Sequence, residues 1–446
     1  MDAGIDFSLF LLSLSIFVIA INFSWIAIFI LSFRSNYRVP TIDRRLKIAQ
    51  FKAVSVSSSS RVQQSVENVF GPSNGSGHLS NISLPFVSII IPARNEEKNI
   101  KKCLLSILNQ NYPNFEVLAI DDSSTDNTLR IINNIKENAR DTLGSSNKLK
   151  VISLSSKPDG WTGKTWASHQ GYLHAQGKIL LFTDADTCFF NNDTILYAIS
   201  FFHDQNLDVL TGHAKIELTD FWSKVIMPFW DFFSIILDQN PVAVNNTGSN
   251  AAYLVGSFYT MDRKVLDRVG GFHSVRGAIK EDVELGQHIK RVGFKLKIAR
   301  MNKFYSALWS RDFLSLWHGM GRTFLPMSKV RVFVNLLSLF FLAILPFLIV
   351  PYSISSYMAT VGEMNFNHLL SSFILILNIS SCLMIIIATA LKDLKKYNIS
   401  AIYSLLTFPA ALLLISVYIA NIVPLFLTFG RPKRVRWRDR TYEYEK

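Results

Sequence analysis

Two carboxylates at i and i+2 follow an apolar run in Thr183-Asp184-Ala185-Asp186-Thr187. Two such acids projecting from an extended strand end repel one another unless a cation joins them. A hard divalent ion such as Mg²⁺ or Mn²⁺ takes oxygen ligands, typically one or two carboxylates together with substrate phosphates. The pair therefore suits a diphosphate held through a metal. The same residues also read as a strand-to-loop turn whose acids sit in water.

Further polar clusters carry related chemistry. Pro92-Ala93-Arg94-Asn95-Glu96-Glu97 and Asp121-Asp122-Ser123-Ser124-Thr125-Asp126 each end an apolar strand pattern. Acids there can accept from ribose hydroxyls or a base N–H, and they can equally cap the helices that follow. In Asp159-Gly160-Trp161-Thr162-Gly163-Lys164-Thr165 the Gly-Lys-Thr suggests a phosphate loop. Pro158 stands where a Walker A needs its first glycine, so the motif fails; Lys164 can still approach a phosphate, or serve as a plain helix-start lysine. Later, Lys280-Glu281-Asp282-Val283 opens a helical pattern. A carboxylate at a helix N-terminus is kept ionised and could take a proton from an acceptor hydroxyl, although acids are common there for stability alone.

Short apolar strands at 86–91, 117–120, 150–154, 179–182 and 209–210, alternating with amphipathic stretches, must position these clusters. That alternation predicts an α/β domain with a mostly parallel sheet. In such sheets ligands bind beyond the carboxyl ends of the strands, which is where the clusters fall.

Around this domain the chain is built for a membrane. It has 446 residues, 49% hydrophobic, and uncharged stretches at 8–33, 332–354, 369–391 and 399–429 each reach the ~20 residues that a spanning helix needs. The first is too long for a signal peptide and reads as a retained anchor. Asp2 and Asp6 precede it and Arg34, Arg38, Arg44, Arg45, Lys47 and Lys52 follow, which predicts a cytoplasmic catalytic domain. The net charge of +13 fits a membrane surface better than a nucleic acid, since many of the basic residues border the spans. Cys103, Cys188 and Cys382 show no paired spacing, so neither a disulfide framework nor a cysteine metal site is expected.

Taken together, these residues resemble the family 2 glycosyltransferases, and 158–167 with 183–187 look most like hopanoid-associated and carotenoid-type members. The resemblance implies a GT-A nucleotide-sugar-binding α/β sandwich over 85–330, behind an anchor (1–34) and a basic, Ser-rich linker (35–84). About three transmembrane helices (331–430) and a basic tail (431–446) would follow. By similarity, Pro92, Ala93, Arg94, Glu96, Asp121 and Asp122 would line the nucleoside pocket, and Asp184 and Asp186 would hold diphosphate and metal. Asp282 would be the base of an inverting transfer to a lipid acceptor, with Glu281 in support.

Processive members carry Q-x-x-R-W where this chain has Trp317-His318-Gly319-Met320-Gly321-Arg322, which argues against a polysaccharide synthase. The intact Asp184, Asp186 and Asp282 argue against an inactive scaffold. The aromatic stretch 221–233 reads either as an interfacial helix or as core. The last apolar segment contains Pro409 and Pro424 and exceeds one span, and a basic tail follows it, so re-entry or a short hairpin, with a cytoplasmic tail near the active site, is expected. In that tail Trp437-Arg438-Asp439-Arg440-Thr441-Tyr442 resembles a W-x-G-R-x-Y element of related enzymes, with Asp for Gly.

Overall fold

The computed structural model describes residues 2–42, 84–142, 148–236, 240–324, 329–362, 366–427, 433–437 and 440–444. The expected Ser-rich linker therefore lies, over 43–83, outside the described residues. The chain divides into two compact units, one of 38–217, 241–308 and 434–446 and the other of 1–37, 218–240 and 309–433. The stretch 85–330, expected as one domain, is thus shared between them: 218–240 and 309–330 group with the long apolar helices.

The first unit is an α/β sandwich. Strands β1 (Val87–Ala93), β2 (Phe115–Asp122), β3 (Leu149–Leu154), β4 (Ile179–Phe182), β6 (Val209–His213), β8 (Tyr259–Asp262) and β9 (Leu296–Arg300) form one sheet in the order β3-β2-β1-β4-β8-β6-β9. A second sheet joins β5 (Thr187–Cys188), β10 (Ser306–Leu308) and β7 (Lys215–Glu217). The run Ile89-Ile90-Ile91 is β-branched and wholly buried, as a central strand covered on both faces requires. Side chains alternate across it: Ile89 and Ile91 pack in the core with the helix Ile100–Leu108, whereas Ile90 joins Leu118, Ile120 and Ala167 on the opposite face. The sheet is mixed, because β8 runs antiparallel to both β4 and β6.

Strand order fixes where a ligand can bind. From β1 the chain proceeds to β2 and β3 on one side and then returns to place β4 on the other. The crossovers diverge between β1 and β4, opening a crevice at the carboxyl ends of these strands. Asp121 pairs in register with Ala93, and Phe182 with Ile90, so the ends of β2, β1 and β4 share one edge.

Among the described residues, the second unit holds four helical segments long and apolar enough to cross a membrane: Leu12–Ser32, Phe333–Thr360, Phe366–Tyr397 and Ala401–Ala420. The expected re-entry or short hairpin is corrected here, since a short 3-10 turn, Ala401–Leu406, runs directly into one helix, Thr407–Leu427. Pro409 lies in the first turn of that helix, where a missing N–H breaks no intrahelical bond, so it does not interrupt the span. The aromatic stretch forms the helix Phe221–Ile236 of this unit. Phe229 and Phe232 are buried, Trp25 stacks edge-on against Phe232 at 5.8 Å, and Asp231 holds Lys392 at 2.6 Å and Lys396 at 2.5 Å.

Candidate active site

The site is built around one lysine. Thr162 caps the helix Gly163–His174, its hydroxyl accepting from the Thr165 N–H at 3.3 Å, and this sets Lys164 in the first turn. The preceding loop is pinned twice to one carbonyl: the Thr162 N–H and the Thr165 hydroxyl donate to the Arg276 oxygen at 2.8 and 2.7 Å. Trp161 lies buried beneath it, stacked on His169 at 5.0 Å and edge-on to Trp166 and His273 at 5.1 and 4.8 Å.

So fixed, the Lys164 ammonium stands 2.7 Å from Asp184 Oδ1, just past the end of β4, and 2.9 Å from Glu281 Oε1. Glu281 and Asp282 open the helix Glu281–Arg291. Close packing seats that helix against residues 253–256: a Cβ on Gly286 would fall 2.9 Å from the Tyr253 backbone, and the Leu254 N–H donates to the Asp282 carbonyl at 3.2 Å. Gly256 faces the charged cluster directly. A Cβ there would lie 3.1 Å from both Asp282 Oδ2 and Lys164 Nζ, and 3.5 Å from Asp184 Oδ2. Residues far apart in sequence thus pack together against a glycine, where a side chain would crowd them.

Charges in the cluster tune one another. Burial alone would pull Lys164 down, but Asp184, Glu281 and Asp282 carry it well above its ordinary value, so it stays a cation. Burial pushes the Asp282 carboxyl up to about 6, with the Glu281 charge adding to the rise and Lys164 opposing it. Its Oδ1 accepts the Val283 N–H at 2.8 Å, leaving Oδ2 toward Gly256. A carboxylate of this kind is a competent proton acceptor near neutrality.

A second group of acids ends β1 and β2. Asp121 and Asp122 close β2 and are almost wholly buried. Asp121 Oδ2 accepts from the Ser124 N–H at 3.3 Å, whereas the Oδ1 atoms of both residues are buried without a hydrogen-bond partner. Arg94 reaches back to the carbonyls of Asp122 and Ser123 at 2.6 and 2.7 Å, locking the turn in which Ser123 takes a left-handed φ of 53°. Glu96 is buried, accepting from the Asn99 amide at 2.9 Å while its own N–H donates to the Thr128 hydroxyl at 2.7 Å. Arg94 and Glu96 thus brace the loop. Pro92 and Ala93 are β1 residues paired with Ile120 and Asp121.

Asp184 and Asp186 are hard oxygen donors, and Asp184 keeps Oδ2 toward Gly256, so the pair fits a divalent ion completed by phosphate and water oxygens. Asp186 is half-buried, its carbonyl accepting from the Leu308 N–H at 3.4 Å. Among the described residues no group of three or more His, Cys, Asp or Glu side chains is gathered for a metal. His318 is exposed on the helix Phe313–Phe324. Gly256, Trp161 and Arg276 escaped sequence reasoning as contributors; Trp161 lay inside a motif already singled out, whereas nothing marks Gly256 before its neighbours are known.

Residues 88–270 match the model of Glycosyl transferase family 2. Among curated proteins, the chain is 30% identical over 250 residues to a beta-monoglucosyldiacylglycerol synthase of Nostoc sp. (strain PCC 7120), covering 54% of this chain and 48% of that protein. It is 28% identical over 201 residues to a 4,4'-diaponeurosporenoate glycosyltransferase of Staphylococcus aureus (strain USA300), covering 45% and 50%. The chain therefore spans about half the length of the curated relatives it matches. A solved mannosyltransferase, PcManGT from Pyrobaculum calidifontis in complex with GDP-Man and Mn²⁺, superposes with a TM-score of 0.47 at 16% identity, over 93% of this chain and 99% of that one. That likeness is too loose to bear on chemistry.

Proposed function

We propose that the chain is a membrane-bound inverting glycosyltransferase that moves a hexose from a nucleotide sugar onto a lipid hydroxyl, with its catalytic unit on the cytoplasmic face of the cell membrane. The observation that carries this reading is the cluster at Gly256, where Lys164 ties Asp184 at the end of β4 to Glu281, with Asp282 beside them. Donor-side and acceptor-side acids meet there.

Asp121 and Asp122 would accept from the nucleoside, and Lys164 would face the diphosphate. A divalent cation bound at Asp184 and Asp186 would neutralise charge on that diphosphate. Asp282 takes the proton as the acceptor oxygen bonds to the anomeric carbon. The bond from that carbon to the diphosphate oxygen breaks, its electron pair leaves with the nucleoside diphosphate, and configuration inverts. Glu281, bound to Lys164, keeps the ammonium from neutralising Asp282 by itself. The four apolar helices support membrane association. The names of two relatives, one making monoglucosyldiacylglycerol and one glycosylating 4,4'-diaponeurosporenoate, support a hydrophobic acceptor.

The test is transfer by the purified full chain from labelled UDP- and GDP-sugars to total host lipids. Asp282→Asn should lower the rate by roughly 10²- to 10⁴-fold, the usual worth of a general base. Asp184→Asn should also lose transfer. Undiminished transfer by Asp282→Asn would overturn the mechanism.

A further inference from the structure

Two strands, β11 (Lys433–Trp437) and β12 (Arg440–Tyr444), form a small sheet of their own, and β12 begins with a residue that reaches the donor side of the site. Arg440 Nη1 lies 2.5 Å from Asp122 Oδ2, and both side chains are largely buried, 18% and 4% exposed. A short, shielded, charge-assisted contact of this kind holds a carboxylate in one orientation, unlike an exposed ion pair.

The need for such a contact follows from β2 itself. Its last two residues are neighbouring buried acids, and each leaves Oδ1 without an N–H or O–H. A buried acceptor with no donor is costly and marks a place where a ligand supplies one. Burial already pushes the Asp122 carboxyl upward, and the charge of Asp121 adds to this, while Arg440 and Arg94 oppose it. Arg94 donates to the main-chain carbonyls of Asp122 and Ser123. Arg440 is placed to hold Oδ2 and thereby aim Oδ1.

We propose that Arg440 is a positioning residue for the donor's nucleoside: from β12 it fixes Asp122 so that its free carboxylate oxygen accepts from N–H or O–H groups of the nucleobase or ribose. This inference rests on the reading of the ligand as a nucleotide sugar. It adds a residue 318 positions along the chain from its partner to the donor site.

The experiment titrates the full chain in detergent with UDP, GDP, ADP, CDP and dTDP separately, and measures transfer with the matching sugar nucleotide. Wild type should bind one of these. Arg440→Ala should weaken that binding and raise the donor KM by at least about tenfold, as expected when a hydrogen bond to a charged group loses its orientation, with kcat changed less than KM. Arg440→Lys should recover part of the loss. In an Asp122→Asn background Arg440→Ala should have little further effect, which an effect of Arg440 that bypasses Asp122 would not produce. Wild-type binding that Arg440→Ala leaves unchanged overturns the inference alone. Tighter binding by the variant also overturns it, because the arginine would then be occupying the ligand's place. Failure of wild type to bind any of the nucleotides overturns the donor reading and this inference with it.

Discussion

Lys164 is a single cation among three acids, and its removal should be felt most at Asp282. Lys164→Met deletes the charge that stands 2.7 Å from Asp184 and 2.9 Å from Glu281. The Asp282 carboxyl, already raised to about 6 by burial and by Glu281, then loses the charge that lowers it, keeps only the Val283 N–H to oppose the rise, and rises further. A general base works ionised, so wild-type transfer should fall as pH drops through about 6, and the variant's fall should begin at a higher pH. Initial rates across the acid limb check this; coincident limbs would remove Lys164 from the electrostatics of the base. At this scale the acids were legible in the sequence, because polar clusters interrupting apolar runs stand out at Asp121, Asp184 and Asp282. Gly256 was not, since its meaning lies in what it faces. The partnership of Arg440 with Asp122 was invisible because no local pattern specifies a contact across most of the chain.

The loop that carries Lys164 depends on the aromatic group beneath it. Trp161 is buried against Trp166, His169 and His273, and Trp161→Ala should cost about 3–5 kcal/mol of stability, as large-to-small core changes do. A lowered unfolding temperature together with weakened transfer is the expected result; weakened transfer with unaltered stability would show that the ring meets substrate instead. In the other unit, the helix Phe221–Ile236 is tied by Asp231 to Lys392 and Lys396. Asp231→Asn strands a buried ammonium and should cost on the order of 3–5 kcal/mol, whereas Asp231→Leu with Lys392→Met, which removes both charges, should cost less. Unfolding in detergent distinguishes these outcomes. Element by element, the five expected strands were readable from short apolar runs alternating with amphipathic stretches. The antiparallel β8 was not, because a short buried strand has the same composition whichever way it runs. Whether the aromatic stretch was interfacial or core was equally undecidable, since a helix buried among apolar neighbours and one lying at a membrane surface both read as rich in Phe and Trp.

At the scale of the whole molecule, each compact unit is assembled from three separate stretches of chain. A fragment limited to 85–330 would keep the helix Phe221–Ile236 while losing the helix Thr407–Leu427 that packs on it in the intact unit. Its apolar face would be uncovered, and the fragment would lack Arg440. Such a fragment should sediment as aggregate without detergent and bind donor nucleotide more weakly than the full chain; a soluble, monomeric fragment with full affinity would refute this. Sequence reasoning drew the domain as continuous because composition changes smoothly through 218–240, where an apolar helix resembles the core it adjoins.

The helix Phe221–Ile236 also has a history during synthesis. A ribosome releases it long before residues 407–427 exist, so for that interval its buried face has no permanent neighbour from those residues. The sheet is likewise incomplete until β9 emerges, and Asp122 waits for Arg440 until 318 further residues are made. Contacts this distant in sequence close slowly, and exposed apolar surface in the meantime invites misassembly. Biogenesis of this protein should therefore depend on whatever shields nascent apolar helices at the membrane, and its yield should respond to translation speed through residues 237 to 407.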